Sequence, residues 1–89
     1  MRTHRTDSLP FAAFLHATRR LRFLECERLG RGGRVAFVFE DPNGEGERLH
    51  VAFKSGAECS AVGYYDSVRH LRRVMDGTTS KGAWEHGQQ

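Results

Sequence analysis

Arg34 to Glu40, RVAFVFE, carries apolar side chains at both parities: Val35, Phe37 and Phe39 on one side, Ala36 and Val38 on the other. A strand apolar on both faces needs cover on both and neighbours at both edges, so it belongs at the centre of a sheet. With 89 residues the chain has room for one core of modest size around that strand and none for a second domain. Its hydrophobic fraction of 38% against 28% charged suits such a core, and no apolar run approaches the about 18 residues that cross a bilayer. The first ten residues hold two arginines with no apolar stretch behind them, so no secretory signal is read. Cys26 and Cys59 are too few for a disulfide-stapled secreted domain and lack zinc-ribbon spacing, and a cytoplasmic location is expected.

The elements around the central strand follow from period and punctuation. Residues 1–6 are polar and without period, and are expected to be a disordered lead-in. Asp7 or Ser8 caps a helix with Pro10 in its first turn, and Phe11, Phe14, Leu15 and Thr18 form its apolar stripe. From Leu21 the period becomes two, with Leu24, Cys26 and Arg28 alternating with Phe23, Glu25 and Glu27. The Gly30-Arg31-Gly32-Gly33 segment then joins this strand to the central one as a hairpin. After the turn Asp41-Pro42-Asn43-Gly44, the residues Leu49, Val51 and Phe53 alternate with Arg48, His50, Ala52 and Lys54, which predicts a third strand. Tyr64, Val68, Leu71 and Met75 make a second helical stripe that Asp76-Gly77 should end. Residues 78–89, with Trp84 the one large apolar group, are expected to be a disordered tail.

The expected fold is therefore α+β. It is a two-layer sandwich over residues 7–77 in the order α-β-β-β-α, with a three-stranded antiparallel meander and both helices on one face. The opposite face would carry Ala36, Val38 and Ala52 at its centre, flanked by Glu25, Glu27, Glu40, Arg48, His50 and Lys54.

The stretches TDSLPFAAFLHA, RVAFVFEDPNGEGE and VRHLRRVM, in that order, resemble a small uncharacterised prokaryotic family known only as a domain of unknown function, over Thr6 to Met75. Arg20 stands where that resemblance leads one to expect glycine. No activity is carried over from it. The element order is also similar to that of double-stranded RNA-binding domains, but the hairpin reads GRGGR in place of Gly-Pro-x-His, and no lysines open the last helix. That likeness is one of fold alone.

Charge is unevenly spread. Residues 1–34 carry eight arginines against three acids, residues 35–58 two cations against five acids, and twelve of the fourteen cations are Arg, whose planar fork pairs with phosphate or carboxylate. One basic group comprises Arg19, Arg20, Arg22, Arg31 and Arg34, gathered at one pole. Another, Arg69, Arg72 and Arg73 beside Tyr65, lies on the outer side of the last helix. These nine residues are the candidate nucleic-acid-binding set of a small basic accessory protein. The plain alternative at each place is solvation, with the helical arginines paired to Asp66 and Asp76. A second functional reading is a protein-interaction or homodimerisation module that uses Ala36, Val38 and Ala52 or a free strand edge, with an acidic protein or a second copy as partner.

Catalysis is not indicated. Cys59 near a helix start, with His50 or His70 as base, is the one nucleophile to weigh, and nothing in the sequence places them together. His4, His16, His50, His70 and His86 lack metal-ligand spacing, and the glycines lack the spacing of a nucleotide loop. No cofactor or small-molecule substrate is expected.

Overall fold

The structure, a computed structural model, describes residues 2–30 and 32–87, the stretch 79–87 as backbone alone. Its elements are β1 (Thr3–Thr6), α1 (Leu9–Thr18), β2 (Arg22–Arg28), β3 (Val35–Glu40), α2 (Gly46–Lys54) and α3 (Ala61–Gly87). The fold is α+β, with an antiparallel sheet in the order β1-β3-β2. The RVAFVFE strand is the central one, and its residues from Val35 to Phe39 are all buried. No helix among the described residues is long and apolar enough to cross a membrane.

The order α-β-β-β-α is corrected at two places. The first is the supposed lead-in. Thr3–Thr6 pairs with β3 in the register His4 to Phe39 and Thr6 to Phe37, and the Asp41 N–H donates to the Arg2 carbonyl just beyond it at 2.9 Å. Its inward residues are His4 and Thr6, so no apolar alternation announces the strand. The backbone ladder and the edge of His4 on the Phe11 ring, 6.0 Å between centroids, hold it in place.

The second correction is α2. Residues 46–54 are helical, with Leu49 buried, Phe53 packed on the core and Val51 64% exposed. Leu49 and Phe53 are four apart, a spacing that a strand and a helix both place on one side, and Val51 alone separates the two readings. The helix is started from outside by the buried Asp41, whose carboxylate accepts from the Glu45 N–H at 2.7 Å and the Gly46 N–H at 2.8 Å. Two of the orphan donors of a helix N-terminus are satisfied in this way. Glycine is favoured at two positions that follow Asp41, at Gly44 because its backbone sits at φ +67° and at Gly46 because a Cβ would collide with the His4 ring.

Ser8 caps α1, its hydroxyl accepting from the Phe11 N–H at 3.2 Å. The helix ends on Arg19 at φ 55°, a left-handed position next to Arg20 in the helix-to-strand turn. Phe11, Ala12, Ala13, Phe14 and Leu15 are all buried, so α1 is enclosed on more sides than its one apolar stripe implies. In β2 a bulge at Leu24 sets Phe23 opposite Phe39 and Cys26 opposite Phe37, which turns Phe23 and Cys26 to the same face. Phe11, Leu15, Leu49 and Leu71 form one core cluster with Val35, Phe37 and Phe39, and Tyr64, Val68 and Met75 of α3 pack on its margin. The α3 helix does not stop at Asp76-Gly77 but runs to Gly87. The side chain of Trp84 lies outside the described residues.

Candidate functional site

The described arginines of the candidate set fall into three places. Arg19, Arg20 and Arg22 surround the buried Leu21 in the α1–β2 turn, all three exposed and none ion-paired with another described residue. Arg20 and Arg22 border a recess of about 190 Å³ shared with Glu40 and Glu45, so acids temper their charge. Arg19 turns the other way, towards α3.

Arg34 is not at that pole. It precedes β3 at the far end of β2 from Arg22, roughly 20 Å away at strand rise, and pairs with Asp7 at 3.6 Å. Arg31, assigned to the same group, lies outside the described residues. The third place is the outer side of α3. Tyr65 is 61% exposed there, with the Arg69 guanidinium 5.7 Å from its ring centroid, and Arg72 and Arg73 are exposed beside them.

Between the turn and α3 lies a cluster that sequence reasoning did not assemble. His16, Ala17 and Arg19 face Gly63, Asp66, Ser67 and His70 across a cavity of about 370 Å³. His16 Nδ1 is 2.8 Å from the Oγ of the buried Ser67, and the His16 and His70 rings stack with centroids 5.0 Å apart and planes at 24°. Burial, then the charges of His70 and Arg19, hold His16 below the ordinary imidazole range. His16 and Arg19 also line a second recess, of about 350 Å³, with Arg22 and Phe23. The only hint of this meeting in the sequence is polarity: His16 and Ser67 each sit at the border of an apolar stripe, and 51 residues separate them.

The interface strip does not exist as expected. Ala52 lies on α2, away from the sheet, and Ala36 and Val38 are already buried, Val38 to 2% exposure. Arg5 and Glu25 sit opposite Val38 on that face, and Arg5 reaches over β3 to Glu27 at 3.4 Å, so long charged side chains cover the two apolar ones. Cys59 is exposed before α3 and makes no hydrogen bond to His50 or His70. Burial pushes the Cys26 thiol up in pKa, against a hydrogen bond with Thr78. No described group of three or more His, Cys, Asp or Glu is arranged to hold a metal ion.

Comparison with protein-family models, with curated proteins and with solved structures finds no match to this chain.

Proposed function

We propose that this protein binds nucleic acid through phosphate contacts from Arg19, Arg20 and Arg22 at the α1–β2 turn and from Arg69, Arg72 and Arg73 on α3, with Tyr65 offering a ring to an unpaired base. The reading takes the helices to cover the Val35, Phe37 and Phe39 side of a two-layer sandwich, which the single core cluster supports. The observation that carries it is the meeting of α1 and α3. Arg19 and His70 line one cavity, and Arg73, three residues on, is the neighbour of His70 on that side of α3, while Arg69 and Arg72 lie further round the helix. Arg19 and Arg73, some fifty residues apart in sequence, thus flank the same junction of α1 with α3.

Guanidinium groups on such a surface displace condensed counterions from a phosphate chain, and a half-exposed aromatic beside them stacks on any base. Fluorescence anisotropy with labelled single-stranded and double-stranded oligonucleotides tests the reading. Log affinity is expected to fall linearly with log salt, with a slope corresponding to about four to six phosphates. Replacing Arg69, Arg72 and Arg73 together by Ala should reduce that slope by about two to three. No association with either DNA or RNA at about 20 mM salt, where such contacts are strongest, refutes the proposal.

A further inference from the structure

The cavity between α1 and α3 has a charge that depends on protons. His16 comes from α1, Arg19 from its C-cap, and Asp66, Ser67 and His70 from α3. From β2, Arg22 faces the adjoining recess that shares His16 and Arg19. With both imidazoles neutral, Arg19 and Asp66 cancel on the cavity wall. With both protonated, the wall holds an excess of two positive charges, on rings 5.0 Å apart. Such a pair repels unless an anion joins it.

Ser67 engages His16 at Nδ1, which leaves Nε2 and the exposed His70 as donors for that anion. A phosphodiester within a strand carries one charge. A terminal phosphomonoester carries one to two around pH 6, where it loses its second proton, and offers three acceptor oxygens, so it brings more charge and more acceptors to the protonated cavity than a phosphodiester does. The volume of about 370 Å³ accommodates it.

We propose that the His16–Arg19–His70 cavity is a proton-gated seat for the terminal phosphomonoester of a bound strand, an inference that rests on the nucleic-acid reading above. Ser67 is a positioning residue that orients the His16 ring. Arg19, His16 and His70 hold the phosphate, and Arg22 lies where the next phosphate of the strand would pass.

The test uses the full chain and one short oligonucleotide in three forms, with a 5′-phosphate, a 3′-phosphate or free hydroxyls, by anisotropy at pH 5.5 and pH 8. In parallel, the ring-proton NMR signals of His16 and His70 are followed during titration with inorganic phosphate. A terminal phosphate is expected to tighten binding about tenfold at pH 5.5, where imidazolium charge is available to it, and little at pH 8, where the imidazoles are neutral. His70→Gln, at an exposed position that does not carry the core, should abolish that advantage. Equal affinity for phosphorylated and unphosphorylated strands at pH 5.5 overturns the seat while leaving salt-dependent binding intact. Phosphate-dependent shifts of both rings without binding of any oligonucleotide would remove the nucleic-acid reading and leave the phosphomonoester seat supported. Rings that do not respond to phosphate overturn the seat.

Discussion

Arg19 spends backbone energy to stand where it does. A non-glycine residue at φ 55° costs on the order of 1 kcal/mol, and the turn needs that conformation to end α1 and start β2. Arg19→Gly should therefore raise stability by about 1 kcal/mol in urea unfolding while weakening oligonucleotide binding. A loss of stability would show that the side chain contributes more to the fold than its backbone costs. Asp41 works in the opposite sense. Burial by itself raises its pKa, but the Glu45 and Gly46 N–H groups, with His4 and Arg2 nearby, outweigh burial and leave it below the ordinary carboxylate range. A carboxylate depressed in the folded state contributes stability that is complete above about pH 4 and is lost as pH falls through its folded value. Asp41→Ala should cost about 1–3 kcal/mol and flatten the acid limb of the stability profile. Both residues show how far single positions can be read: Ser8 and Pro10 declare a helix start by their chemistry, whereas nothing in an arginine marks a left-handed turn.

At the scale of elements, the sequence is legible where one face is apolar and ambiguous where both periods fit. The stripe of α3 and the doubly apolar β3 leave little choice. In α2 the pair Leu49 and Phe53 satisfies helix and strand alike, and what decides is the Asp41 carboxylate that caps the N-terminus from four residues upstream. Two substitutions separate the alternatives in chemical denaturation. Val51→Lys should change stability by no more than about 0.5 kcal/mol, because Val51 faces solvent, and Leu49→Ala should cost about 2–5 kcal/mol. A cost at Val51 as large as that at Leu49 would restore the strand, which would turn both side chains inward. β1 was illegible for another reason: its inward residues are polar, and its existence depends on the long-range ladder to β3.

For the whole molecule, the uneven charge of the chain was readable as composition, but its placement required the contact of α1 with α3. The basic hairpin and the basic turn, both in the arginine-rich front section, end at opposite ends of β2, while α3, distant in sequence, comes to the turn. The same contact should make stability sensitive to mild acid. His16 is held below its ordinary value by burial, His70 and Arg19, so between its folded-state value and about 6.5 the unfolded chain binds the extra proton. Stability should accordingly decline as pH drops below about 6.5 and level off once the folded imidazole is also charged. Thermal melts from pH 8 to pH 5 check this, and His16→Gln should lessen the decline through that window. A pH-independent melting temperature in the wild-type chain would mean that the imidazole titrates alike folded and unfolded.

β1 gives β3 its second neighbour, and Arg5 carries one half of the charged tie that lies across Ala36 and Val38. Trimming the first six residues, the natural choice for anyone tidying a ragged terminus before crystallisation, would strip both at once. A long hydrophobic edge would be bared to every other molecule in the tube, and turbidity on warming would be the first sign of the mistake.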